Sequence, residues 1–262
     1  MIDHPMTPLA LKTQARLRVG LGTYIGVEAD CHEPEASERA IASAFEAVRA
    51  VERAMHPTRA DSDLGQIAAC PPGGSVTVHP WTWELLHLCA RMHEASGRIF
   101  DPCLPIAPGR MRHVELPDAC RVRVTAKVAI DLGGIAKGYA VDRALEALAA
   151  AGCTGGLVNA GGDLAVFGPR THRIACRGSR GTRVIELHDA ALASSDAGQP
   201  CAPSEHCGYY HGASGARAYA GQVSVIAPRA AVADGLTKCL FWLDPASAQT
   251  LLRQFGAHRA DD

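Results

Sequence analysis

Apolar residues recur at helical spacing in two stretches of the N-terminal part of the chain. The first stretch covers residues 34–55, where Pro34 suits a first turn and the apolar positions share one face: Ile41, Ala44, Phe45, Val48, Val51 and Met55. The second covers Pro80–Ala95, with Leu85, Leu88, Cys89 and Met92 on one face. Both patterns predict amphipathic helices that cover a core.

Shorter apolar runs, bounded by glycine and polar turn residues, predict strands around these helices. Residues 14–29 indicate a strand pair or one bent strand, in which Gly20 and Gly22 mark close backbone approach. Further strands are predicted at 75–78, 121–131, 156–160, 163–168 and 222–227, with several more up to Ser195; further helices are predicted at 138–151, 229–243 and 245–255. Because strands and helices do not alternate regularly, the pattern favours the α+β class.

The composition permits a sizeable core and excludes some partners. The chain has 262 residues, 47% apolar and 20% charged, with a formal net charge of −1. Because there is no basic surplus, we expect no nucleic-acid partner. No signal peptide, lipobox or transmembrane run is evident, so we expect a cytoplasmic protein without membrane insertion.

The ten cysteines are scattered and include no CxxC pair. Several fall inside apolar patterns, which favours buried free thiols in a reducing compartment over a disulfide framework. Cys201, His206, Cys207 and His211 form the one cluster with zinc-ligand chemistry. Adjacent His206 and Cys207 point in different directions in an extended chain, so an ordinary Pro- and Gly-rich loop is favoured there.

The densest chemical signal is the segment from Ile130 to Tyr139. A predicted strand ends at Asp131, two glycines follow, and a predicted helix opens with Lys137 in its first turn. Free N–H groups at a helix N-terminus favour an anion, and a lysine adds a point charge for a phosphate. These residues alone indicate either an anion or nucleotide site, or a structural corner with a surface lysine.

A second signal lies at Asn159–Asp163, where Gly161 and Gly162 separate two short predicted strands. Paired glycines at this place are typical of a tight hairpin. Asn159 and Asp163 are polar groups flanked by apolar strand residues, so each needs a hydrogen-bonding partner.

Together these segments resemble the ApbE family, the FAD:protein FMN transferases formerly named as thiamine-biosynthesis lipoproteins. Asp131–Arg143 reads DLGGIAKGYAVDR and Val158–Asp163 reads VNAGGD, as in that family. Four flanking segments are similar to further family motifs: Gly20–Thr23, Asp61–Leu64, Ser96–Pro102 and Ser224–Leu243.

The resemblance implies an ApbE-like (T-fold-like) fold with a mixed, largely antiparallel sheet packed with helices, in a single domain over residues 1–262. It implies that FAD is the donor, that Mg²⁺ assists, and that FMN moves to a threonine of an acceptor flavoprotein while AMP leaves. FAD contacts are implied at Leu21, Ile99, Phe100, Asp101, Asp131, Lys137 and Asp163. Catalytic roles are implied for His211 and Asp234, and metal ligation for Asp234 and the carbonyl of Gly134.

The chain departs from the family at Lys238, which stands where the metal-binding threonine of the AD-x-x-x-T motif is expected. Thr237 lies one place early, and one residue turns a helix by about 100°, so it cannot simply replace that ligand. An ammonium cannot ligate Mg²⁺, which prefers oxygen. We expect Lys238 either to replace the metal in part, by pairing with Asp234 or a phosphate oxygen, or to reach solvent from a shifted helix.

A second departure surrounds His211. The family's loop H-I-x-D-P-x-T-G is longer, and its histidine assists the acceptor hydroxyl; here the histidine is kept without the Asp-Pro. Likewise, the family's ATSG reads Ala193–Asp196 here. A histidine near neutral pKa can act as general base.

Transfer is the leading function, with FAD pyrophosphate hydrolysis to FMN and AMP, or a degenerate FAD-binding or flavin-trafficking module, as alternatives.

Overall fold

The predicted N-terminal strand pair is a hairpin in the computed structural model, which describes residues 12–118, 120–178, 181–196 and 221–260. Strands β1 (Lys12–Gly20) and β2 (Thr23–Cys31) pair antiparallel along their whole lengths. Leu21 and Gly22 form the turn with φ values of 52° and 71°. Leucine rarely adopts this left-handed conformation, and Glu52 Oε1 holds it by accepting the Leu21 N–H at 3.1 Å.

A seven-stranded sheet runs in the order β1-β2-β6-β7-β10-β11-β12. Its remaining members are β6 (Gly155–Ala160), β7 (Asp163–Phe167), β10 (Ala191–Asp196), β11 (Gln222–Ala227) and β12 (His258–Arg259). Each neighbouring pair in this order is antiparallel. The α+β class and the largely antiparallel sheet are therefore confirmed.

Two smaller sheets accompany it. One has the order β3-β5-β4, with β3 (Ser75–Thr77), β4 (Val114–Glu115) and β5 (Arg121–Val124); the other pairs β8 (His172–Gly178) with β9 (Gly181–Leu187). The strand predicted over 121–131 was wrong beyond Val124. Residues 127–131 instead exchange irregular backbone hydrogen bonds with the loop at 102–109, which leaves only a single bridge between Ile130 and Cys103.

The helices are α1 (Pro34–Ala54), α2 (Asp63–Ala69), α3 (Pro80–Ala95), α4 (Ala136–Ala150), α5 (Ala230–Leu240) and α6 (Pro245–Gln254). The predicted helix at 229–243 ends earlier than expected. Asp244 explains part of this difference, because its carboxylate accepts the N–H groups of Ala246 and Ser247 and thereby caps α6 as a new helix. Within the described ranges, no helix has the length and apolar content needed to cross a bilayer.

The centre of the core lies between the large sheet and helices α1, α4 and α5. α4 contacts α1 on one side and α5 on the other, and α4 and α5 cover the central strands β6, β7, β10 and β11. Every residue of α5 is buried, including Asp234, Thr237 and Lys238. A helix that is buried all round must satisfy such polar groups internally, and this requirement concentrates charge at one place in the core.

All eight described cysteines are free, and all but Cys120 are buried, as predicted. Cys31 Sγ and Cys153 Sγ lie 2.8 Å apart where the end of β2 meets the segment before β6. Cys201 and Cys207 lie outside the described residues, as do His206 and His211. Among the parts of the chain that are described, no group of three or more His, Cys, Asp or Glu side chains is placed to hold a metal ion.

Candidate active site

Helices α4 and α5 approach each other so closely that only glycine fits at one contact. A Cβ atom added at Gly138 would lie 2.3 Å from the carbonyl oxygen of Ala230. The helices also exchange hydrogen bonds at their first turns. The Gly138 N–H donates to Asp234 Oδ2 at 3.1 Å, and Asp142 accepts the N–H groups of Ala230 and Ala231 at 2.7 and 3.0 Å. The start of each helix is thus satisfied by a carboxylate from the other.

Four charged side chains from three elements form a charge cluster here: Lys137 on α4, Asp163 on β7, and Asp234 and Lys238 on α5. Asp234 is fully buried, and the side chains of Asp163 and Lys238 are 3% and 5% exposed. Lys238 Nζ lies 2.8 Å from Asp234 Oδ1. Lys137 Nζ pairs with Asp163 Oδ2 and lies 3.8 Å from Asp234 Oδ2. Each carboxylate therefore has an ammonium partner, as buried charges require.

Lys238 Nζ is surrounded by oxygen atoms. Besides Asp234 Oδ1, it contacts Ser195 Oγ at 2.6 Å, Thr237 Oγ1 at 3.0 Å and the Asp234 carbonyl at 3.3 Å. The Thr237 hydroxyl also lies 2.8 Å from the Ser195 hydroxyl and 2.7 Å from the Asp234 carbonyl. Lys238 thus lies inside the core as part of a hydrogen-bonded network and pairs with Asp234, as one of the two alternatives predicted; the other alternative, that it reaches solvent, was wrong.

The charge cluster affects protonation. Burial raises the pKa of Asp163, the negative charge of Asp234 raises it further, and the ammonium groups of Lys137 and Lys238 oppose the rise. A buried carboxylate stays ionised in such a place only while its cations stay beside it. Removing either lysine therefore favours proton uptake at Asp163.

A cavity of about 250 Å³ opens at the N-terminus of α4. Its lining includes Leu21, Glu52, Met55, Asp131, Gly133 and Lys137. Asp131 Oδ1 accepts the Gly133 N–H at 2.7 Å, which shapes the turn that opens α4. Lys137 is one-third exposed, so its ammonium joins the cavity to the buried charge cluster.

The structure brings most of the predicted site residues together. Leu21, Asp131 and Lys137 line the cavity, while Asp163, Asp234 and Lys238 meet Lys137 in the charge cluster. Gly134 is buried in the turn that leads into α4.

Three predicted FAD contacts lie elsewhere, on the loop after α3. The Phe100 side chain is buried in the core, and Ile99 packs against that core. Asp101 Oδ1 accepts the N–H groups of Cys103 and Met111 at 2.9 and 3.1 Å, so this carboxylate organises the loop. None of the three lines the cavity at the start of α4 among the residues described.

The Asn159–Asp163 segment is the tight hairpin that its paired glycines predict. Gly161 and Gly162 have φ values of 64° and 103°, and Asn159 Oδ1 accepts the Gly162 N–H at 2.9 Å. Asp163 follows this turn with its side chain directed at Lys137. Both polar residues have the partners they were expected to need.

Sequence reasoning missed the contributions of Asp142, Ser195 and Thr237. Their signal was weak: Asp142 and Thr237 are polar residues in mainly apolar helices, Ser195 lies in a strand, and each has a polar or charged neighbour in the sequence. Because a buried polar group needs a partner, such positions point to contacts between distant segments. The sequence could not show which segments meet.

Comparison with known proteins identifies the family of this chain. The model of the ApbE family matches residues 21–260. A relative named FAD:protein FMN transferase, from Treponema pallidum (strain Nichols), is 23% identical over 94% of this chain and 83% of its own length.

Two crystal structures have the same fold. The apo form of the flavinyl transferase ApbE from Pseudomonas stutzeri superposes with a TM-score of 0.80 at 22% identity, covering 96% of this chain and 92% of its own. The ApbE protein from Thermotoga maritima has a TM-score of 0.79 at 24% identity, covering 95% and 93%. Because the family model spans nearly all of the described chain, this protein belongs to the ApbE family.

Proposed function

We propose that this chain transfers the FMN part of FAD to a threonine hydroxyl of an acceptor flavoprotein and releases AMP. The observation that carries the proposal is the position of Lys137, which joins an open cavity at a helix N-terminus to a buried cluster of paired charges. The names of the Treponema pallidum and Pseudomonas stutzeri relatives support the same activity.

The cavity has the chemistry to hold part of FAD. The Lys137 ammonium and the positive end of the α4 dipole attract the pyrophosphate, and Asp131 can accept hydrogen bonds from a ribose or heterocycle. At about 250 Å³ the cavity lies just below the range of roughly 300–1,000 Å³ for whole ligand pockets, so FAD must extend beyond it. Leu21 at the rim, and Ile99, Phe100 and Asp101 on the loop after α3, are the proposed further contacts.

The reaction is an in-line displacement at the FMN phosphorus. The acceptor oxygen forms a bond to this phosphorus, the bond to the AMP phosphate oxygen breaks, and AMP leaves with the electron pair. We assign the proton of the threonine hydroxyl to His211, which lies outside the described residues. Lys137 and the α4 N-terminus stabilise the charge that develops on the phosphates, and Asp234 holds these groups in place.

Mg²⁺, expected with Asp234 and the Gly134 carbonyl as ligands, does not fit the donors present. Asp234 Oδ1 accepts from Lys238 and Oδ2 accepts from the Gly138 N–H, so both carboxylate oxygens are already engaged and an ammonium lies where a metal would approach Oδ1. No step of the proposed reaction uses a metal ion.

A single domain over residues 1–262 and a cytoplasmic location also remain predictions.

A labelling assay tests the function. The chain is incubated with FAD and a candidate flavoprotein that carries the acceptor threonine, and flavin fluorescence is followed on a denaturing gel. We expect a covalent fluorescent band on the acceptor, and none when its threonine is replaced by valine. FMN and AMP without labelling would instead indicate hydrolysis, and tightly held FAD without turnover would indicate a binding module.

A further inference from the structure

We infer that the Lys238 ammonium is the fixed cation of this site, and that it replaces a divalent metal, so that the chain binds FAD without Mg²⁺. The inference rests on the proposed function only for the identity of the ligand. It concerns Asp234, the carboxylate that links the first turn of α4 to α5.

The surroundings of Lys238 Nζ are those of a bound cation. Among the residues that the structure describes, its polar neighbours are a carboxylate oxygen, a carbonyl oxygen and two hydroxyl oxygens, at 2.6 to 3.3 Å. These lengths suit N–H···O hydrogen bonds, whereas Mg²⁺ holds its oxygen ligands at about 2.1 Å in octahedral geometry. The oxygens that a metal would recruit are therefore already arranged around an ammonium.

The charges of the cluster balance without a metal. Asp163 and Asp234 contribute two negative charges, and Lys137 and Lys238 contribute two positive ones. In the FAD-free protein, an added Mg²⁺ would leave the cluster with two uncompensated positive charges. To enter next to Asp234 it would also have to displace Lys238, whose side chain is only 5% exposed and would then be a buried charge without its counterion.

Lys238 acts on the ligand through Asp234 and is thus a positioning residue. It neutralises Asp234, so Lys137, which already pairs with Asp163, does not also have to neutralise Asp234, and the site is less repulsive to phosphates in the cavity. Without Lys238, Asp234 would draw Lys137 inward and would repel an anion. The same neutralisation by a metal would require an oxygen ligand at position 238.

Two substitutions distinguish neutralisation of Asp234 by the Lys238 ammonium from neutralisation by a metal ion. Lys238→Met removes the charge but keeps an unbranched side chain and supplies no oxygen, whereas Lys238→Thr removes the charge and supplies a hydroxyl. FAD affinity is measured by flavin fluorescence with EDTA and with Mg²⁺, and cation binding to the FAD-free protein is measured by Mn²⁺ titration with electron paramagnetic resonance. Circular dichroism checks that each variant is folded.

For the native chain we expect no saturable Mn²⁺ binding, and an FAD Kd that changes by less than about twofold between EDTA and Mg²⁺. Lys238→Met is expected to weaken FAD binding by about tenfold in both conditions. Lys238→Thr is expected to be equally weak in EDTA, to bind Mn²⁺ saturably, and to recover FAD affinity with Mg²⁺.

Saturable Mn²⁺ binding by the native chain, or tighter FAD binding with Mg²⁺, would overturn the inference, and this measurement decides the question even if both variants fail to fold. A folded Lys238→Thr that gains no Mn²⁺ binding would also overturn it, as would an unchanged FAD affinity in Lys238→Met. A native chain that binds FAD in EDTA but labels no acceptor would refute the proposed function and leave the inference standing.

Discussion

Asp142 Oδ1 accepts a 2.7 Å hydrogen bond from the backbone N–H of Ala230, so a side chain of α4 caps the first turn of α5. In return, the Gly138 N–H in the first turn of α4 donates to Asp234 on α5. These bonds fix the start of one helix against the side of the other. The candidate site depends on this arrangement, because Lys137 lies in the same turn as Gly138.

Replacing Gly138 by alanine should separate the two helices. The new Cβ would lie 2.3 Å from the backbone oxygen of Ala230, which cannot move without displacing α5. We expect a loss of about 1–3 kcal/mol in the free energy of unfolding, and weaker FAD binding. Chemical denaturation and fluorescence titration measure the two effects.

Gly26→Ala is the matched control for this change. Its Cβ would meet only Leu17 Cδ1 at 3.8 Å, an ordinary contact. Gly26→Ala should leave the free energy of unfolding and the FAD affinity nearly unchanged. Equal effects at the two glycines would show that the close contact between α4 and α5 is not what limits substitution.

Removing the cap of α5 should lower stability and FAD affinity together. Asp142→Ala leaves two backbone N–H groups and the Arg229 guanidinium without this carboxylate, and a lost cap of this kind costs up to about 2 kcal/mol. Asp244→Ala removes the exposed cap of α6, for about 1 kcal/mol. Denaturation should detect both losses, but only the Asp142 variant should bind FAD more weakly; the same weakening in both would contradict a specific role for Asp142.

Lys137→Ala should weaken FAD binding, and because it leaves buried Asp163 without its ammonium partner it should also lower stability. A hydrogen bond to a charged group contributes roughly 1.5 kcal/mol or more, which corresponds to about tenfold in Kd. Lys127→Ala removes an equal charge from an exposed loop position and should have little effect. Fluorescence titration at two salt concentrations compares them, and indistinguishable Kd values would rule out a phosphate contact by Lys137.

His172 predicts a pH dependence of stability. Burial lowers its pKa, and the positive charge of Arg170 lowers it further, while Glu28 and Asp30 oppose this shift. Below the unfolded-state pKa of about 6.5 the unfolded chain therefore takes up more protons at this residue, and its contribution to stability falls as pH falls. We expect His172→Leu to lose less stability than the native chain between pH 7 and pH 5.

Denaturation curves at several pH values measure this difference directly. Other titrating groups affect the native chain and the variant alike. The informative quantity is therefore the difference between their free energies of unfolding at each pH. A difference in the free energy of unfolding that stays constant with pH would show that His172 has the same pKa in the folded and unfolded chain.

Much of the fold followed from periodicity, because α1 and α3 each present a continuous apolar face and begin at a proline. The strand predicted beyond Val124 failed, since its backbone partners lie in an irregular loop that no local pattern encodes. In the site, Asp131 and Lys137 were recognisable because a carboxylate and a lysine at a predicted helix N-terminus indicate a binding site from local sequence alone. The role of Ser195 was not, since it depends on contacts with α5, 42 and 43 residues further along the chain.

Because α5 is buried along all eleven of its residues, it has no face that could remain in water while the rest of the chain assembles. The charges of Lys137, Asp163 and Asp234 come from a helix, a strand and a second helix. Burial of these charges is favourable only once all three elements have docked and each charge has its partner. We therefore expect the charge cluster to form late in folding. A chain whose core is incomplete would have no site, so activity reports on completion of the core.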